Sequence, residues 1–377
     1  MMPAHVLLTP GPVNVSPRVR QALLRGDLCH REPEFGALLA SVRRRLVQAF
    51  APGETHTPVV LTGSGTAALE AAVTSSVGPA GKLLAVRNGV YGDRIASMAR
   101  AAGIPVVEVT APWTERQPLA PIAAALAGDP AIEAVAVVHH ETTTGLINPV
   151  RDVGAIVRNA GRLFLVDAIS ALGGEAIDVA ADGIDICVGT ANKSIQGLPG
   201  MSFVLARRQV IERLAAYPPR SVYLNLPAIH AAQARDTVPF TAAVQIAYAF
   251  DEALAELLEE GVAARVARYR RAAHHLRAAF AAMGLQFVLP PELRANALTA
   301  LWLPEGLSYA AIHDGLKARG FVVYEGQGRL QREIFRIANM GHLTLADFDR
   351  FLDALRDVLD ASRAAATVGG ASRPKAS

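Results

Sequence analysis

Through the first two thirds of the chain, short runs rich in β-branched residues alternate with segments of helical period, and that alternation admits few folds. Val59–Leu61, Leu83–Val86, Val106–Val109, Ala134–Val138, Leu163–Val166, Ile184–Val188 and Met201–Leu205 read as buried strands. Helical spacing fills the gaps at Thr66–Ser76, Asp93–Ala102, Leu119–Leu126 and Val150–Asn159. Strands joined through helices pair in parallel with right-handed crossovers, so the spacing predicts an α/β unit around a mainly parallel, seven-stranded sheet. Near residue 215 the alternation ends. Tyr217-Pro218-Pro219 opens a stretch that reads as irregular, and a long amphipathic helix then runs from Ala242 to Phe280, broken at Gly261. A smaller α+β unit follows. Its expected strands are Leu285–Leu289, Ala297–Leu303, Phe321–Tyr324 and Ile334–Ala338, with helices at Tyr309–Arg319 and Leu345–Ala361. The expected division is a large domain over 1–245 with an N-terminal segment 1–17, a small domain over 246–365 that includes the linking helix, and a disordered tail over 366–377.

A chain of 377 residues has room for two such domains. Its mean hydropathy of +0.26 raises the membrane question. Segment length answers it: no window approaches the ~18–20 uncharged apolar residues of a spanning helix. The longest charge-free run, Met1–Pro17, is interrupted by Pro3, Pro10 and Pro12, and the first basic residue is Arg18, so no secretory signal is expected. A net charge of +3 is a weak field for nucleic acid. Arg43-Arg44-Arg45 sits within the apolar period of Leu38, Leu39, Val42, Leu46 and Val47, which makes it a solvated helix face. Two cysteines, Cys29 and Cys187, build no disulfide framework and fit a reducing, cytoplasmic setting.

Three constellations carry chemistry. Gly63-Ser64-Gly65-Thr66 follows a strand and opens a helix, where glycines admit a ligand closely and the free N–H groups favour an anion such as phosphate. Extended to Ala68 it is also a G-x-G-x-x-A string, the basis of a rival reading as a nicotinamide-dinucleotide oxidoreductase. That reading wants an acid at the end of the next strand, which instead ends in Arg87-Asn88. Asp167 ends the strand Leu163–Val166, the end at which open α/β sheets bind ligands. Lys193 lies in Thr190–Gly200, a polar, glycine-bounded loop in which no amphipathic period demands a charge. A lysine held in a pocket loses its proton and condenses with an aldehyde. Together the three supply what pyridoxal 5'-phosphate needs: a phosphate cradle, a carboxylate for the ring nitrogen, and a lysine for the aldehyde. Tyr91, in the loop after the next strand, is placed to stack on the ring. Arg336 stands in the apolar strand of Ile334, Phe335 and Ile337, where its planar fork suits a carboxylate or phosphonate. His139-His140-Glu141 lacks the second histidine of a His-Glu-x-x-His site, because position 144 is Thr, so no metal is expected.

From Leu8-Thr9-Pro10-Gly11-Pro12 to Phe335-Arg336-Ile337-Ala338-Asn339-Met340-Gly341, the chain resembles the fold-type I, class V aminotransferases. Asn192-Lys193-x-x-Gln196-Gly197-x-Pro199-Gly200, His139-x-Glu141-Thr142-Thr143-Thr144-Gly145 and Val166-Asp167-Ala168-x-Ser170 resemble the members that transfer the amino group of 2-aminoethylphosphonate to pyruvate. Cys29-His30-Arg31-Glu32-Pro33-Glu34-Phe35 is equally similar to the members using alanine or serine with glyoxylate. The resemblance implies a homodimer taking a small amine donor and a 2-oxo acid. It makes Lys193 the covalent cofactor lysine and Asp167 the partner of the ring nitrogen. Ser64, Gly65 and Thr66 would hold the phosphate, Tyr91 would stack on the ring, and Thr143 would meet the ring edge. By the same resemblance Thr241 reaches the phosphate from the other subunit, with Ala243 where the family often has proline, and Arg336 takes the substrate's anionic end.

Overall fold

The computed structural model describes residues 5–53 and 55–370, with side chains through 361. All seven expected runs join one sheet, in the spatial order His56–Thr62, Met201–Arg207, Ile186–Thr190, Leu163–Asp167, Ile132–Val138, Lys82–Arg87 and Val106–Thr110. Only Met201–Arg207 runs against its neighbours. The connection from Ile186–Thr190 to Met201–Arg207, residues 191–200, is too short for a crossover, so the second strand must return antiparallel. That connection is the lysine loop.

Side chains alternate across the sheet. Val60, Leu84 and Phe164 face one core, with Leu39, Val153 and Phe250 from the helices Pro33–Phe50, Val150–Asn159 and Val244–Glu260. Val59, Leu83 and Leu163 face the other, with Leu69, Ile95 and Ile229 from Gly65–Ser75, Val90–Ala101 and Leu226–Gln233. Burial on both faces is why these strands read as continuous apolar runs.

The second unit keeps the expected break at Gly261 and departs from the sequence expectation elsewhere. The linking segment is two helices, Val244–Glu260 and Val262–Ala282, meeting at Gly261 with φ +84°. The first buries Phe250 and Leu257 in the sheet core, the second Leu276 and Phe280 in the C-terminal core. The change from one core to the other therefore falls at Gly261. The N-terminal segment also joins the C-terminal unit, since Val6–Leu7 pairs in parallel with Phe321–Val322 and Leu8 enters its core. Phe321–Tyr324 is two strands: Phe321–Val322 takes that pairing, while Tyr324–Glu325 pairs with Ile334–Ala338, itself paired with Leu298–Trp302. Leu285–Leu289 forms no strand: it meets Leu298–Trp302 in one isolated bridge, Phe287 opposite Leu301, closed by the Val288 N–H to the Ala300 carbonyl and the Trp302 N–H to the Gln286 carbonyl. The stretch after Tyr217 contains the helix Leu226–Gln233, which Asn225 caps by accepting from the Ala228 N–H. The closing helix, Leu345–Gly370, takes in residues 366–370 of the expected tail, and 371–377 lie outside the described residues. Among the described residues no helix is long and apolar enough to cross a membrane.

Candidate active site

Asp167 closes its strand with 3% of its surface exposed. Its Oδ1 accepts from the Ile169 N–H at 3.0 Å, which leaves Oδ2 for a ligand. Burial pushes the carboxyl up to about 6, against the Ile169 hydrogen bond and the charges of Arg94 and Lys193. Lys193 shares this space. Burial pushes its ammonium down to about 8; Asp167 opposes the shift, while Arg336 and Arg94 add to it. Its stem passes Gly11, where a Cβ would stand 2.8 Å from Nζ, so the N-terminal Gly11-Pro12 turn needs glycine against the lysine as well as for its φ of +110°.

The loop that carries Lys193 is held from outside the sheet. Gln196, at φ +68°, donates through Nε2 to the Tyr269 hydroxyl and the Gly341 carbonyl, each at 2.7 Å. Tyr269 donates to the Ser194 carbonyl at 3.3 Å, and Arg265 to that of Ile195 at 3.1 Å. A helix after Gly261 and the turn after the Arg336 strand thus fix the lysine's position.

The cradle sits at the start of Gly65–Ser75. Ser64 is the N-cap residue, yet its exposed hydroxyl makes no capping bond and is free for an anion. A Cβ at Gly65 would press on Ile169 at 3.0 Å, so this glycine lets the cradle approach the turn after Asp167. Arg336 is 2% exposed. It donates from Nε to the Glu325 carbonyl, and from Nη1 to the Thr142 carbonyl and Gln327 Oε1. Burial lowers its affinity for the proton, opposed by Tyr91 and Glu141. Among the described residues no carboxylate pairs with it. A buried guanidinium without a counter-ion is an anion site in waiting.

A family model, Aminotransferase class-V, matches residues 25–329. The chain belongs to the class V aminotransferases. A relative from Syntrophobacter fumaroxidans (strain DSM 10017 / MPOB), named 2-aminoethylphosphonate–pyruvate transaminase, is 38% identical over 362 residues, covering 94% of this chain and 96% of its own. Alanine–glyoxylate aminotransferase from Nostoc sp. has a similar solved structure, with a TM-score of 0.90 at 29% identity over 95% of this chain and 96% of its own. Pyridoxamine–pyruvate aminotransferase from Mesorhizobium loti gives 0.89 at 30% identity over 96% and 93%. The dinucleotide alternative falls with this assignment, and Arg87 at the end of the next strand is taken up by Asp93 and Glu108.

In this class V aminotransferase the fully buried Glu141 organises more of the site than its sequence suggests. Its carboxyl accepts from Thr143 Oγ1 at 2.6 Å, from the Thr143 N–H, and from the N–H groups of Tyr91 and Gly92. The helix Val90–Ala101 has Gly89 at its cap, with no side chain to offer, so Glu141 supplies the cap from another segment and orients Tyr91. Burial pushes this carboxyl up to about 7, with those hydrogen bonds opposing. A Cβ at Gly89 would come 2.2 Å from Glu141 Cδ. Gly89→Ala is therefore expected to cost about 1–3 kcal/mol, seen as a lower midpoint of urea unfolding. An unchanged midpoint would mean that Glu141 is free to move.

Thr142, Thr143 and Thr241 differ in their surroundings. Thr143 Oγ1 donates to Glu141 and accepts from the Val90 N–H at 3.0 Å, so its proton is spent within the protein and one lone pair is left over. Thr142 Oγ1 has no such partner among the described residues, and its carbonyl already touches Arg336. Thr241 is exposed and lines an apolar cavity with Phe35, Met201, Tyr223 and Phe240, a cavity whose lining includes neither Lys193 nor Asp167. No group of three or more His, Cys, Asp or Glu side chains among the described residues is placed to hold a metal ion.

Proposed function

We propose that this aminotransferase moves the amino group of 2-aminoethylphosphonate to pyruvate, giving phosphonoacetaldehyde and L-alanine, with pyridoxal 5'-phosphate as cofactor. The observation that carries the reading is Arg336, a buried cation with no carboxylate partner, whose charge is felt by Lys193. A phosphonate in one half of the cycle and a carboxylate in the other satisfy it in turn. The S. fumaroxidans relative bears the same activity in its name.

The residues fit the cofactor: a lysine whose charge burial disfavours, a carboxylate with one oxygen unspent, and an uncapped helix start. Bound there, the group supplies an aldehyde for amines and a ring that accepts electrons. Ser64, Gly65 and Thr66 would hold its phosphate, Tyr91 would cover the ring, and Asp167 Oδ2 would keep a proton on the ring nitrogen. Thr142, whose hydroxyl has no hydrogen-bond partner among the described residues, would meet the ring edge beside Thr143. Lys193 would hold the cofactor at its aldehyde, and its Nζ, as a free amine, would take the proton from the substrate carbon bearing the amino group. In a homodimer Thr241 would reach the partner subunit's phosphate. Val222 and Tyr223, both exposed, with Tyr223 against Phe240 at 4.8 Å, give Thr241 an apolar surround for a second protomer to cover.

A donor panel tests the reading. With pyruvate, 2-aminoethylphosphonate is expected to give a kcat/KM at least about a hundredfold above that of alanine or serine with glyoxylate. The reverse preference would reject the phosphonate and favour the activity named for the Nostoc structure.

A further inference from the structure

Arg94 stands beside the site with no task in the chemistry above. It lies near the start of Val90–Ala101, half-buried, with its guanidinium 4.7 Å over the Tyr91 ring and Nη1 3.4 Å from Thr66 Oγ1. Among the described residues no Asp or Glu comes within ion-pair range of it. The surroundings disfavour a lone cation there. Lys193 is close enough for the Arg94 charge to weigh on it, and the helices Gly65–Ser75 and Val90–Ala101 both start in this region with their positive ends. Asp167 feels the Arg94 charge but spends one oxygen on Ile169. Of the other nearby arginines, Arg336 is held among Glu325, Thr142 and Gln327 and is given above to the substrate's anion, and Arg87 is paired with Asp93 and Glu108.

We propose that Arg94 binds the cofactor's phosphate, adding a full positive charge to the neutral donors of Ser64, Gly65 and Thr66. The inference rests on the pyridoxal 5'-phosphate reading above. A phosphate carries more charge than a helix start and two hydroxyls offset, and a guanidinium is its natural fork-shaped partner. Little movement is required, because Nη1 already touches the cradle's own Thr66. In turning to the phosphate, Arg94 gives up its contact with the Tyr91 ring, worth about 1 kcal/mol or less at an exposed site and readily exchanged for a charge-assisted hydrogen bond.

The test compares two ligands that share ring and aldehyde but differ in the phosphate. Cofactor-free protein is titrated with pyridoxal 5'-phosphate and with pyridoxal, for the parent, Arg94→Met and Arg94→Lys. Arg94→Met is expected to raise the Kd for pyridoxal 5'-phosphate by about 10- to 100-fold and that for pyridoxal by less than about twofold. Arg94→Lys, which keeps the charge, is expected to recover part of the loss. An equal loss for both ligands would overturn the proposal, since Arg94 would then serve the ring or the fold. Unchanged affinity for both ligands, with a raised KM for the phosphonate donor, would overturn it too and assign Arg94 to the substrate. If the parent protein bound neither ligand, the cofactor reading itself would fall, and the proposal with it.

Discussion

Lys193→Ala is expected to lower transamination by at least about a thousandfold while leaving the fold intact. The loss combines two roles, the bond that anchors the cofactor's aldehyde and the amine that moves the substrate proton. General acid–base groups alone contribute about 10²–10⁴-fold. Stability separates this chemical loss from a structural one. The folded chain holds the Lys193 proton only up to about pH 8, whereas the unfolded chain holds it to about 10.5. Between those values the unfolded state binds more protons, so this group makes stability rise with pH, and below pH 8 its burial is a standing cost. The alanine variant lacks that cost and is expected to unfold no earlier than the parent at pH 7. The same shift sets how fast cofactor-free protein takes up pyridoxal 5'-phosphate. Only the neutral amine attacks, so the rate is expected to climb through a midpoint near pH 8 and then level. A variant at parental activity, or an uptake rate flat from pH 7 to 10, would remove Lys193 from its role.

Lys193 and Asp167 are legible in the sequence because both follow strands that are apolar on both faces. A polar residue at the end of such a run has no packing reason to be there. Arg336 is legible for the same reason, being the one charge in Ile334–Ala338. What escapes depends on contacts between distant segments. Glu141 stands directly before the run Thr142–Thr144 in sequence, and its work, capping a helix some fifty residues earlier, exists only once the sheet brings the strands Lys82–Arg87 and Ile132–Val138 side by side. The hydroxyl of Thr143 is likewise spent on that carboxylate, which its motif cannot reveal. Tyr269 carries the ordinary period of an amphipathic helix, yet its hydroxyl fixes the lysine loop. Pro227 and Asn225 look like loop formers and are in fact the first turn and cap of Leu226–Gln233. Phe321–Tyr324 reads as one strand because periodicity does not say that its two ends pair with different sheets.

Arg336→Gln is expected to cut kcat/KM for 2-aminoethylphosphonate by about 100- to 1000-fold, with most of the change in KM. Removing one member of a buried, hydrogen-bonded charge pair typically costs about 2–5 kcal/mol, and each 1.4 kcal/mol is tenfold. Some of that figure is structural, because Arg336 also ties the strand pair of the small unit to the Thr142 carbonyl of the large one. Losing those donors orphans buried acceptors at about 1–3 kcal/mol each. A donor of similar length without the anion, propylamine, separates the two effects. If Arg336 binds the anion, the variant loses its preference for the phosphonate over propylamine, while its slow turnover of propylamine is little changed. If the residue is purely structural, both donors suffer alike and their ratio stays at the parent's value. Arg336→Lys sharpens the contrast. It retains a charge, but one ammonium cannot span Glu325, Thr142 and a bound anion together, so a loss of about tenfold is expected, between those of the parent and the glutamine variant.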